Sequence, residues 1–383
     1  MTTAPEATSW TSGIELLQPI LEEAIRRGAS DLHLSAGAAP TARVDGTLLS
    51  LPFPVLSSAD TDALCLGLLS PEQRSTVEAT GGVDFSFYLP AGRRCRGHVF
   101  RQRDSLAAAF RILASTLPDL GAAEIEGESW SEHVVALRRG LVLITGATGS
   151  GKSTTLAALL DRINRERCVH IVTIEDPIEH VHEPRQALIT QRQLHSDTHS
   201  FADALRSVLR QDPDVVLIGE IRDRETMEAA LTVAETGHLV LSSLHTGSAA
   251  QAVQRVLDLF SPQDQPPIRA QLAAVLEVVV CQQLVPRAGG SGRVVAAEVL
   301  RATAAIRNLI RDGKTHQLDN VMQLGQTQSG TRTMLQSLAA LQERGLITPE
   351  HAREYSHNAN DLPSMVAHTG NERRARAARL DPG

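Results

Sequence analysis

Apolar and polar positions alternate with two different textures along the 383 residues of this chain. In residues 13–27, GIELLQPILEEAIRR, the positions Ile14, Leu17, Ile20, Leu21 and Ile25 recur near helical spacing and form one apolar stripe. Gly28 closes that predicted helix, and SDLHLSAG then alternates as a strand does. A second alternating segment, DFSFYLP (84–90), precedes CRGHVFRQR and LAAAFRIL. Short strands joined by Gly/Pro turns and mixed with helices predict a small α+β domain over residues 1–114. Residues 115–127, STLPDLGAAEIEG, are small, acidic and Pro/Gly-containing, and read as an interdomain linker.

From residue 140 the pattern changes. GLVLITG, HIVTIED, DVVLIGE and HLVLSSLH are short runs rich in Val, Ile and Leu, each followed by a polar turn. Runs of this kind suit strands covered on both faces, and helical segments alternate between them. The predicted fold class is therefore α/β, a mainly parallel sheet flanked by helices over residues 128–355, with a helical C-terminal part from about 264. Residues 356–383, ending in NERRARAARLDPG, are polar and are expected to be partly disordered.

Composition narrows the function classes. Hydrophobic residues make up 42% and charged residues 21%, an ordinary globular balance. No stretch reaches the roughly 18 apolar residues of a membrane span. MTTAPEATSW lacks the basic start and apolar core of a signal peptide, so a cytoplasmic location is expected. Cys65, Cys95, Cys168 and Cys281 are scattered without a CxxC pair, which predicts buried apolar residues rather than a zinc or disulfide framework. A net charge of −7, no long basic run and 3% aromatics argue against nucleic acid as the main partner.

Candidate chemistry is concentrated after residue 145. Gly146, Ala147, Thr148, Gly149, Ser150, Gly151, Lys152 and Ser153 form G-x-x-x-x-G-K-[ST] between a predicted strand and a predicted helix. The glycines let backbone N–H groups curl around the β-phosphate of ATP, Lys152 reaches the β- and γ-phosphates, and Ser153 ligates Mg²⁺. DVVLIGEIRD places Glu220 just beyond an apolar strand, at the sheet edge where such folds bind ligands. There it can activate water or contact Mg²⁺ through water; the plainer reading is a solvated turn with Arg222 as internal partner. Glu175, Asp176 and Glu179 in IEDPIEHVH follow another apolar strand and fit either a water- or metal-linked role or a solvated acidic turn. His238 and His245 flank the run HLVLSSLH and are either polar strand caps or contacts to the γ-phosphate. The arginines of the first domain, Arg96, Arg103 and Arg111 among them, serve either solubility or a nucleotide on a neighbouring subunit.

Four segments together resemble the type II/type IV secretion ATPase superfamily, over about residues 13 to 355. GATGSGKSTT resembles its Walker A, through Thr154, with Ala147 where proline is usual. IEDPIEHVH resembles its Asp box, LRQDPDVVLIGEIRD its Walker B and AETGHLVLSSLHT its His box, while ASDLHLSAG resembles its PAS-like first domain. AIRNLIRDGK (305–314) is similar to a C-terminal signature of the retraction branch, and the four-cysteine zinc module of assembly ATPases has no counterpart. The resemblance implies a RecA-like ATPase domain and a homohexamer at the inner-membrane pilus base, bound to a platform protein and peripheral to the membrane only through partners. An assembly ATPase or a retraction paralogue would be further partners. It also implies Glu220 as catalytic base, nucleotide-linked roles for His238 and His245, and functional positions for Arg96 and Arg111. FRQRDSL departs from the usual Gln-x-Arg-Gly pattern by placing Arg103 one residue early.

Overall fold

The computed structural model describes residues 11–44, 46–89, 94–112, 130–290, 292–324 and 330–356. The segment 115–127 and the tail beyond 356 fall outside the described residues. The chain divides into two compact units, Met1–Thr116 and Leu117–Gly383.

The first unit begins with α1 (Thr11–Arg26), after which Gly28 takes a φ of 72° that favours glycine. Six strands follow: β1 (Asp31–Leu34), β2 (Thr41–Val44), β3 (Thr47–Ser50), β4 (Gly82–Tyr88), β5 (Arg94–Gln102) and β6 (Ser105–Ile112). They form one antiparallel sheet in the order β3-β2-β1-β6-β5-β4. The helices α2 (Ser58–Leu68) and α3 (Pro71–Thr80) each start at a reciprocal cap, Ser57 with Asp60 and Ser70 with Gln73. Leu17, Leu21, Leu32 and Phe110 form the centre of this unit's core, and Phe87 meets Phe110 edge-on at 5.9 Å.

The second unit is built on seven strands: β7 (Gly140–Thr145), β8 (His170–Glu175), β9 (Leu188–Gln193), β10 (Val215–Ile218), β11 (Leu239–Leu244), β12 (Leu276–Pro286) and β13 (Arg293–Arg301). Their order is β13-β12-β7-β11-β10-β8-β9, parallel except for the antiparallel β12–β13 pair. Every residue of β7, β10 and β11 is buried, because helices cover both faces. Along β7, Leu141 and Leu143 face one core with α7 (Arg224–Glu235) and α8 (Ala249–Asp258). Val142 and Ile144 face the other, with α4 (Trp130–Ala136) and α5 (Lys152–Glu166). The period-two alternation that is hidden in an all-apolar run is thus expressed as a choice between two cores.

The part expected to be helical from 264 is corrected by the structure. α9 (Gln265–Val275) is followed by β12 and β13, and helices resume only with α10 (Ala304–Arg311). An apolar run such as LEVVV is compatible with a buried strand or a buried helix, and only its pairing to β7 decides. No helix among the described residues is long and apolar enough to cross a membrane.

Candidate active site

β7 ends at Thr145 and α5 begins at Lys152, so residues 146–151 form the connecting loop. Gly146 and Gly151 hold φ of 141° and 90°, and a Cβ on Gly146 would lie 2.4 Å from the Gln282 carbonyl oxygen. Only glycine fits there. Ala147, Thr148 and Gly149 are exposed at the crest, whereas Ser150 is buried and its Oγ has no hydrogen-bond partner. Lys152 is buried, and its Nζ donates to the carbonyls of Gly146 and Ala147 at 3.0 Å each. Burial pushes this ammonium below the usual lysine range, while the charges of Glu220 and Glu179 act in the opposite sense. Ser153 is exposed and Thr154 half-buried in the first turn of α5, whose N-terminus carries no side-chain cap. Uncapped N–H groups, a buried ammonium and an orphaned hydroxyl fit a bound phosphate chain. Ser153, in the first turn of α5, is a residue that could hold a Mg²⁺ ion beside it.

The strand order brings the next two groups together. β11 lies between β7 and β10, although it comes last of the three in the chain. His245, just past the end of β11, therefore stands between the loop lysine and the carboxylate after β10. Its Nδ1 is 3.5 Å from Lys152 Nζ, and its Nε2 is 3.2 Å from Glu220 Oε2. With lysine as donor to Nδ1, Nε2 carries the proton and donates to Glu220. Arg222 donates to the other carboxylate oxygen of Glu220. Burial pushes the Glu220 carboxyl up, but hydrogen bonds and charge from Arg222, and then from His245, outweigh it and hold it below the usual glutamate range. The internal Glu220–Arg222 pair and a site at the sheet edge are thus both present in one residue.

β8 is the neighbour of β10 on its other side, and its carboxyl end carries the third segment. Glu175 accepts from Thr173 Oγ1 at 2.7 Å and Gln191 Nε2 at 3.2 Å, and burial pushes its carboxyl up. Gly219 approaches it closely, a Cβ there meeting Glu175 Cα at 3.4 Å. Asp176 is exposed and leads into a cis bond to Pro177, and its charge supports the Arg222 cation. Glu179 is half-buried, and its charge reaches Lys152. These carboxylates converge on the same edge as the loop.

His238 does not. It precedes β11, and six strand residues, roughly 20 Å, separate it from His245. Its Nδ1 lies 3.1 Å from both Thr236 Oγ1 and the Val233 carbonyl, which makes it a local cap at the opposite edge of the sheet. Within this chain, then, the fold does not bring His238 to the loop. Arg96 and Arg111 lie in the first unit as directly opposed partners on β5 and β6, and Arg111 pairs with Asp31 at 3.0 Å. Arg103 and Asp104 are the two-residue turn joining β5 to β6, with φ of 46° and 61°. Cys168 is exposed, unlike the other three cysteines and contrary to expectation. Motif reading missed Gln282, whose Nε2 donates to Ser150 O at 2.8 Å; the only signal was a polar pair interrupting VVVCQQLV.

A strand–loop–helix phosphate cradle at the carboxyl edge of a parallel sheet, facing a glutamate poised by histidine and arginine, defines a P-loop ATPase. The family model described as type II/IV secretion system protein matches residues 107–376. The type IV pilus retractation ATPase PilT of Pseudomonas aeruginosa is 45% identical over 338 residues, 88% of this chain and 96% of that protein. The type IV pilus ATPase PilU of the same species is 37% identical over 349 residues, 91% of each chain. The crystal structure of the pilus retraction motor PilT with bound ADP superimposes with a TM-score of 0.83 at 44% identity, covering 91% of this chain and 99% of that one. The chain belongs to the type II/IV secretion ATPase family.

Proposed function

We propose that this chain is the subunit of a homohexameric, ATP-driven motor that withdraws type IV pili in twitching motility. The observation that carries the reading is the Lys152–His245–Glu220 chain of contacts beside a complete phosphate loop, in a chain similar to PilT along nearly its full length. Glu220, held anionic, accepts a proton from the attacking water. Lys152 exchanges its two loop carbonyls for phosphate oxygens, and His245 keeps the two groups in register. Ser153 would hold Mg²⁺, with Glu220 reaching it through water, and the ion would supply charge neutralisation for the phosphates. The Asp176 charge supports Arg222, and Glu175 serves the water side of the site.

Arg96 and Arg111 oppose each other on one sheet, with Arg111 also paired to Asp31. Two guanidinium groups side by side suit an anion, here a nucleotide on a neighbouring subunit. Turnover around the ring would then act on an inner-membrane platform protein at the cytoplasmic face of the pilus base, with an assembly ATPase or a retraction paralogue as further partners. No nucleic acid enters this reading, and DNA-stimulated turnover would count against it.

Deletion of the gene tests the direction of work. A motor for retraction leaves surplus surface pili without twitching; a bald cell would mean assembly, and normal twitching an accessory role. The AIRNLI helix is the second handle. In α10, Ile306 and Ile310 are buried and Arg307 is tied to the carbonyls of Ala273, Ala274 and Ala302. Leu309→Ala is expected to abolish retraction with ADP affinity intact, and weakened ADP binding would contradict the assignment.

A further inference from the structure

β7 stops at Thr145, whereas its neighbour β12 runs on to Pro286. The last paired residues of the two strands are Thr145 and Cys281, so Gln282 is the first residue of β12 to lie beside the loop instead of the strand. It is 1% exposed and meets the loop at three residues. Its carbonyl oxygen would lie 2.4 Å from a Cβ at Gly146 and, with Ser150 Oγ at 2.5 Å, excludes one there. Its Nε2 donates to Ser150 O at 2.8 Å and would stand 3.2 Å from a Cβ on Gly151.

In a trans peptide the C=O and N–H lie in one plane and point in opposite directions. Holding the Ser150 carbonyl toward β12 therefore turns the Gly151 N–H away from β12, to the open side of the loop. That N–H belongs to the set with which a G-x-x-x-x-G-K loop cradles phosphate. Gly151, at φ 90° and without a side chain, is conformationally permissive and so fixes this peptide only loosely by itself. We propose that Gln282 is a positioning residue for nucleotide: its side-chain amide locks the Ser150–Gly151 peptide so that the Gly151 N–H faces the β-phosphate. The inference rests on residues 146–153 being the ATP site, and it adds a β12 residue outside all four motifs to that site's machinery.

The test uses the full-length protein with Gln282→Met and Gln282→Leu, which keep bulk and lose the donor, and Gln282→His, which keeps a ring N–H. Val279→Ala, a buried residue on the same strand, is the control for general destabilisation. Fluorescent-ADP affinity, kcat and KM for ATP, and the melting temperature without nucleotide are measured for each. Loss of one buried hydrogen bond predicts ADP binding and KM weaker by roughly five- to tenfold, with kcat changed less. Gln282→His should recover part of the loss, and Val279→Ala should lower the melting temperature while leaving ADP affinity at the wild-type value. Unchanged ADP affinity in Gln282→Met or Gln282→Leu would overturn the proposal. So would an equal loss in Val279→Ala, or failure of both apolar variants to fold. Failure of the wild type itself to bind ADP would instead remove the nucleotide site on which the inference stands.

Discussion

The two edges of the seven-stranded sheet carry the same kinds of side chain and use them in opposite ways. At the amino edge, His170 Nδ1 lies 2.9 Å from the Gln211 carbonyl, its Nε2 lies 3.0 Å from Thr190 Oγ1, and its backbone N–H donates to Asp214. His238 is capped by Thr236 and Val233. Each group there ends on a hydroxyl, a backbone group or the Asp214 carboxylate, and none continues into a chain of ionisable side chains. At the carboxyl edge, Lys152, His245, Glu220 and Arg222 contact one another in one run of ionisable side chains, with Lys152 also donating to two loop carbonyls. A closed set of hydrogen bonds holds strands in place, whereas a chain of ionisable groups can exchange partners when a phosphate arrives.

Substitutions at the two edges should separate sharply. Glu220→Ala is expected to lower turnover about 1,000-fold while ADP binding persists, read by phosphate release and fluorescent-ADP titration. Turnover that survives would remove Glu220 from the chemistry. Lys152→Ala should cost roughly 100-fold or more in kcat/KM and, unlike Glu220→Ala, should also weaken ADP. The histidine pair is the direct comparison. His245→Ala should reduce kcat roughly tenfold, and His238→Ala should leave kcat within about twofold while lowering stability by ~1 kcal/mol in denaturant titration. The reverse result would break the contrast between the edges.

Two smaller effects follow from protonation. Glu220 has its folded value below its ordinary one, so its ionised form and the stability it lends persist above the unfolded value of about 4.5 and are lost as pH falls through the lower folded value. Arg222→Gln removes the largest of the influences that lower it, so the acid limb of kcat/KM should move to higher pH; an unmoved limb would free Glu220 from Arg222. Glu175 has the opposite sign. Burial raises its folded value, so a penalty sets in as pH rises above the unfolded value and grows up to the folded one. Glu175→Gln should therefore melt higher than wild type at about pH 8 and equally at about pH 4. A lower melting temperature at the higher pH would show that the Glu175 charge is needed by the fold.

Local patterns determined much of this protein. The loop 146–153 was legible because its glycines and lysine answer to phosphate geometry whatever surrounds them. The strands β7, β8, β10 and β11 announced themselves as apolar runs because a parallel strand buried on both faces tolerates little else. β12 and β13 were not legible, since apolar runs inside a helix-rich stretch carry no period that separates strand from helix. What only the tertiary structure decided was adjacency. The order β7-β11-β10, which no local pattern encodes, sets His245 between Lys152 and Glu220 and leaves His238 at the far edge. The overrun of β12 past β7 likewise sets Gln282 under the loop. Residue chemistry is written one position at a time, but which groups share a site is settled by how strands from distant parts of the chain pair and pack.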